Sequence, residues 1–145
     1  MITLKVNDIE VSVPRGSTIL QAAEKAGVFV PTLCHDRRIT PYGACRLCVV
    51  EDRKKPGSLV PSCFTPARDR MEILTETPAV LDAVLTLVRE AGGLPMVGDS
   101  PGIGELAGIA VRCGIKAVLD AHDVPLADFT SEYVFTCEEN VIGKR

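Results

Sequence analysis

Four cysteines, Cys34, Cys45, Cys48 and Cys63, follow one another as C-x10-C-x2-C-x14-C, and this spacing constrains the chain more than any other feature. The chain has six cysteines in all. Its N-terminus runs straight into a polar–apolar alternation, Met1-Ile2-Thr3-Leu4-Lys5-Val6, so no secretory signal is expected. Without one, a disulfide framework is not the expected use of the cysteines. Metal binding is, with the cytoplasm as the default compartment.

Iron–sulfur clusters are held by Cys thiolates, and plant-type ferredoxins present them as C-x4-C-x2-C…C. The shared logic is three ligands on a loop and a fourth from a distant strand. A cluster held by four thiolates is negative, so its sulfurs need backbone N–H groups and nearby positive charge. Gly43 and Ala44 allow a close backbone approach, and Arg37, Arg38 and Arg46 bring the charge. Zinc is the alternative, since it also accepts four cysteines. Zinc sites mostly present two close pairs, and here only Cys45 and Cys48 form one.

Residues 2–6 and 9–13 alternate as β-strands around Asn7-Asp8, a hairpin signature. Thr18-Ile19-Leu20-Gln21 has the form of a helix capping box. Ile19, Ala22, Ala23 and Ala26 follow at helical spacing, and Gly27 is a stop. Residues 29–47 read as an irregular loop. Residues 48–51, 59–60 and 71–74 read as short strands, and 52–58 as a solvated charged turn. Hairpin, helix and further short strands in this order give a β-grasp domain.

The pattern changes after residue 76. Thr77-Pro78 caps a helix whose apolar face includes Val80, Leu81, Val84, Leu85 and Val88. Gly92-Gly93 ends it. Residues 94–97 read as a short buried strand. Helical segments follow around 103–111 and 115–119, with strands at 126–129 and 133–137. The expected organisation is therefore α+β: a β-grasp domain over 1–78, then a small α/β module over 79–145. The charge divides similarly. Residues 1–78 hold 11 Lys+Arg and 9 Asp+Glu, while 79–145 hold 5 and 10. Such a small module, with strands apolar on both faces, is expected to pack on the first domain or on a partner that completes its sheet.

Residues 1–78 resemble the N-terminal ferredoxin domain of the iron–sulfur subunit of complex I, found also in iron-only hydrogenases and NAD-dependent formate dehydrogenases. The resemblance rests on Val13-Pro14-Arg15-Gly16-Ser17-Thr18-Ile19-Leu20, Val30-Pro31-Thr32-Leu33-Cys34-His35, Gly43-Ala44-Cys45-Arg46-Leu47-Cys48-Val49-Val50-Glu51 and Val60-Pro61-Ser62-Cys63. It implies that Cys34, Cys45, Cys48 and Cys63 ligate one [2Fe–2S] cluster. The family usually continues with a His-x3-Cys-x2-Cys-x5-Cys segment for a [4Fe–4S] cluster, and no such segment follows here. The run from Leu87 to Gly102 is similar to uncharacterised α/β domains often found with iron–sulfur proteins.

The remaining candidates have plainer readings. The loop from Asp99 to Gly104 could offer N–H groups to an anion, yet Gly102-Ile103-Gly104 reads better as a tight turn than as a dinucleotide motif. Cys113 reads as a buried small residue and Cys137 as a surface thiol. His35 reads as a loop residue that could tune the cluster. No nucleophile or acid–base pair suggests a catalytic residue. The expected function is single-electron transfer as a redox subunit or carrier, with redox proteins or oxidoreductase subunits as partners. Neither nucleic-acid binding nor a membrane span is expected. Two alternatives stand beside it: a scaffold or interaction protein with a structural or sensory cluster, and a small nucleotide-binding reductase. Positive charge from Arg37, Arg38 and Arg46 favours an acidic patch on the partner.

Overall fold

The computed structural model describes residues 1–36, 38–99 and 104–128. Strands β1 (Ile2–Val6) and β2 (Ile9–Val13) pair antiparallel, with Val6 opposite Ile9. Asn7 and Asp8 both take positive φ, 47° and 67°, which matches the twist a two-residue hairpin needs. Alternation puts Ile2, Leu4 and Val6 on the inner face, where Ile2 meets Val13 and Leu4 meets Val11 across the strands.

Helix α1 (Ile19–Lys25) follows, with Ile19, Leu20, Ala22 and Ala23 buried. Its capping box is complete: the Gln21 N–H donates to Thr18 Oγ1, and the Thr18 N–H donates to Gln21 Oε1. It ends in a Schellman motif. The Gly27 N–H donates to the Glu24 carbonyl and the Val28 N–H to the Ala23 carbonyl.

Strands β3 (Val49–Asp52), β4 (Leu59–Pro61) and β5 (Glu72–Leu74) complete a five-stranded sheet of order β2-β1-β5-β3-β4. The last strand in sequence enters the middle. β5 runs parallel to β1 and antiparallel to β3, and so joins two hairpins into one mixed sheet. Ile73 lies buried in a core with Leu4, Val6, Ile19 and Val50. The charged turn 52–58 is solvated, with residues 53–58 exposed. At its start Glu51 is buried and accepts the Gly57 N–H, and Arg53 grips Asp8 at 2.7 and 3.0 Å.

Helix α2 (Pro78–Glu90) starts as expected, with Thr77 Oγ1 accepting the Val80 N–H and Pro78 in the first turn. Val80 and Leu85 are its buried residues, and the helix packs against β3. Gly92 and Gly93 close it in a second Schellman motif. A Cβ on Gly93 would stand 2.7 Å from Val88 Cγ1 and 3.0 Å from the Val88 carbonyl oxygen, so only glycine fits there.

By its contacts the chain divides into two compact units, residues 1–95 and 96–145. In the second, β6 (Val97–Asp99) and β7 (Leu126–Asp128) pair in parallel, with Val97 opposite Leu126. Between them run α3 (Leu106–Arg112) and α4 (Ile115–His122), which pack on each other. The small core of this unit contains Leu106, Ala110, Leu119, Val124 and Ala127.

Two expectations are corrected. The strand expected at residues 94–97 begins instead at Val97, and Leu94 is 90% exposed. The cap of α2 uses Gly92 and Gly93, and Pro95 has no N–H for a ladder. Cys113 is exposed rather than buried. It is the last residue of the α3 cap, where Gly114 at φ 74° turns the chain into α4. The expected strand at 133–137, Cys137 and most of the Asp99–Gly104 loop lie outside the described residues.

Candidate iron–sulfur site

The loop after α1 carries Cys34 and Cys45, and Cys48 immediately precedes β3. Cys63 lies in the turn directly after β4 rather than on a strand. That turn is tied down by backbone bonds. The Ile19 and Leu20 N–H groups, unsatisfied within their own helix, donate to the carbonyls of Thr65 and Ser62. The Ser62 N–H donates to the Cys48 carbonyl at 2.9 Å. The start of α1, the start of β3 and the Cys63 turn are therefore one hydrogen-bonded unit.

The loop is shaped by two left-handed residues. Gly43 has φ 64°, and a Cβ there would lie 3.4 Å from Phe64 Cβ and 3.5 Å from Pro61 Cγ. A side chain there would make ordinary contact with the Cys63 turn, so it is the left-handed φ that favours glycine. Arg46 has φ 59°, uncommon for a side chain of its size. This bend turns the Leu47 N–H back onto the Cys45 sulfur.

Cys34 and Cys45 are half-buried, and Cys48 and Cys63 are buried. Ionisation of Cys45 is influenced by Cys34, and that of Cys63 by Cys48 and, through charge, by Cys34 and Cys45. Among the described residues no group of three or more His, Cys, Asp or Glu side chains is arranged to hold a single ion.

Electrostatics differ between Cys45 and Cys63. Burial opposes ionisation of Cys45. The N–H groups of Leu47, Cys34 and Leu33 and the Cys34 thiol outweigh it, and lower Cys45 from 9.0 to about 7. Burial, followed by the hydrogen bond and charge of Cys48, pushes Cys63 up to about 12. Two buried polar atoms beside the cysteines have no hydrogen-bond partner: His35 Nδ1, next to Cys34, and Ser62 Oγ, next to Cys63. Neither was legible as such in the sequence.

The positive face is weaker than its arginines suggest. Arg38 forms a two-pronged pair with Asp36 at 2.9 and 2.7 Å, which holds the Asp36 carboxyl down at about 2. Arg46 is exposed, and Arg37 lies outside the described residues.

Four cysteines thus stand on the loop after α1 and on the turn after β4, beside a mixed sheet. The chain belongs to the 2Fe–2S iron–sulfur cluster binding domain family, whose model matches residues 1–78. Residues 61–145 match a second family, a domain of unknown function, so the two matches share the Cys63 turn. Among curated proteins, the chain is 41% identical over 83 residues to the NADH-ubiquinone oxidoreductase 75 kDa subunit of Reclinomonas americana, covering 57% of this chain and 12% of that protein. It is 44% identical over 78 residues to the mitochondrial NADH dehydrogenase [ubiquinone] iron-sulfur protein 1 of Solanum tuberosum, covering 54% and 10%. The chain thus spans about a tenth of the length of these relatives. Among solved structures, a chain of an NAD+-reducing [NiFe]-hydrogenase in the H2-reduced state matches with a TM-score of 0.55 and 25% identity, over 84% of this chain and 49% of that one. The fold is α+β, as expected, and the resemblance of residues 1–78 falls in the family the cysteine motifs implied. Among the described residues no helix is long and apolar enough to cross a membrane.

Proposed function

We propose that the chain is a one-cluster electron-transfer module of a larger oxidoreductase, with Cys34, Cys45, Cys48 and Cys63 as the ligands of one [2Fe–2S] cluster. The observation that carries this reading is the match of residues 1–78, which hold all four cysteines, to the 2Fe–2S cluster binding domain family. The bond from the Ser62 N–H to the Cys48 carbonyl, which sets the Cys63 turn beside Cys48, supports it. When bound, such a cluster accepts and releases one electron at a time. The chain's own part is to hold the thiolates and aim N–H groups at sulfur. The Leu47, Cys34 and Leu33 N–H groups do this at Cys45, and α1 holds the Cys63 turn in place. The relatives' names are those of NADH-oxidising complex subunits, which supports a multi-subunit setting with protein redox partners.

The test is anaerobic purification followed by metal and sulfide analysis and electron paramagnetic resonance. Two irons and two sulfides per chain, with a rhombic signal after one-electron reduction, are expected. Stoichiometric zinc in protein from the native host would overturn the reading.

A further inference from the structure

One hydroxyl beside the cysteines is sealed from water and pairs with nothing. Ser62 is 0% exposed, and its Oγ has no hydrogen-bond partner. The backbone of Ser62 is fully used. Its N–H donates to the Cys48 carbonyl, and its carbonyl accepts the Leu20 N–H at 3.0 Å. The nearby Thr65, by contrast, donates its Oγ1 to the Pro61 carbonyl at 2.8 Å. A hydroxyl taken out of water and left unpaired is costly, and such groups are rare in folded proteins. Alanine would occupy the same place without that cost.

The register of the sheet shows what this hydroxyl faces. Val50 stands opposite Val60, and Val49 opposite Pro61. One step further Cys48 stands opposite Ser62, and the bond from the Ser62 N–H to the Cys48 carbonyl at 2.9 Å extends the ladder there. Directly opposed residues of an antiparallel pair carry their side chains on one face, with Cβ atoms about 4.5–5.5 Å apart. That face is the inner one, because Cys48 and Val50, two residues apart on the strand, are both buried. The Ser62 hydroxyl and the Cys48 thiol therefore share one buried face. On the half-buried side, N–H groups of Leu47, Cys34 and Leu33 already serve Cys45. On the buried side, burial and the neighbouring thiols all push Cys63 up. Negative charge there lacks screening by water, and an unpaired donor stands beside it.

We propose that the Ser62 hydroxyl donates a hydrogen bond to the Cys48 sulfur when Cys48 is a ligand, and so raises the reduction potential of the site. This deepens the proposed function and rests on it. A protonated thiol is a weak acceptor, whereas hydrogen bonds to ionised acceptors are about twice as strong as neutral ones. A donor at a ligand sulfur favours the more negative state, which is the reduced one, and hydrogen bonds to the sulfurs are among the factors that set such potentials. Ser62 acts through Cys48 and is in this sense a positioning residue.

The test compares the full chain loaded with cluster, wild type against Ser62→Ala. A redox titration followed by paramagnetic resonance reads the potential. Electron–nuclear double resonance of the reduced protein, assembled in H2O and in D2O, reads the exchangeable protons coupled to the cluster. Ser62→Ala should keep the rhombic two-iron signal. It should shift the reduction equilibrium about tenfold towards the oxidised form, a drop of about 59 mV for one electron. It should also lose one exchangeable-proton coupling that the wild type shows. If either readout is unchanged in Ser62→Ala, the inference is overturned and the cluster assignment stands. Should Ser62→Ala hold no cluster, Ser62→Thr and Ser62→Val, alike in shape and different in the hydroxyl, read the same contrast. A lower potential in Ser62→Val supports the inference, and equal potentials overturn it. A wild-type chain with no two-iron signal overturns the proposed function and this inference with it.

Discussion

At the scale of single residues, Cys45 and Cys63 differ in how readily they ionise. Cys45 is lowered to about 7 by N–H groups, whereas Cys63 is raised to about 12 by burial and its neighbours. In the metal-free chain, alkylation of Cys45 should therefore be half-maximal near pH 7, with Cys63 unreactive throughout the neutral range. Peptide mapping after iodoacetamide checks this. Stability follows with opposite signs. Between pH 7 and 9 the folded chain binds fewer protons at Cys45 than the unfolded one, so that thiol contributes more stability as pH rises. Above 9 the folded chain keeps the Cys63 proton that the unfolded chain releases, so that contribution falls. Urea midpoints of the metal-free chain should rise from pH 7 to 9 relative to those of Cys45→Ser, and Cys63→Ser should remove a decline above pH 9. In the loaded protein, Cys34→Ser, Cys45→Ser, Cys48→Ser and Cys63→Ser should each weaken or abolish the cluster. The exposed Cys113→Ser should leave the iron content unchanged, and metal analysis separates the two classes.

At the scale of elements, the capping box of α1 does more than start a helix. Its first N–H groups hold the turn that carries Cys63, so the cap and the site share hydrogen bonds. Thr18→Ala should cost about 1 kcal/mol of stability, as lost caps do. It should also raise amide exchange at Leu20 and Thr65 and speed cluster loss to a chelator, whereas an equally destabilising change at the exposed end of α2 should not touch cluster loss. Gly93→Ala forces a methyl group to within 2.7 Å of Val88 and should cost about 1–3 kcal/mol, the range for overpacking, read as a shift of the denaturant midpoint.

At the scale of the molecule, α2 packs against β3 and its Val80 and Leu85 are buried. The domain boundary expected at 78/79 places α2 elsewhere. We expect a fragment of residues 1–95 to melt higher than one of residues 1–78, because cutting before the helix uncovers its β3 contact. Calorimetry of both fragments, loaded with cluster, makes the comparison. Equal melting points would return the helix to the second module.

What the sequence determined by itself was everything that rests on near neighbours. Asn7-Asp8 specifies the hairpin, Thr18 and Gln21 the cap, Gly27 and Gly92 the helix ends, because each acts through bonds a few residues long. The cysteine spacing marked the candidate ligands for a similar reason, since metal chemistry limits which residues can serve. Only the tertiary structure decided what depends on closure. β5 inserts between β1 and β3, and hydrogen bonds from the start of α1 and to the Cys48 carbonyl set the Cys63 turn beside Cys48. Periodicity reports an apolar face but not whether anything covers it. Leu94 and Cys113 therefore come out exposed, as do Phe29, Leu33 and Phe64.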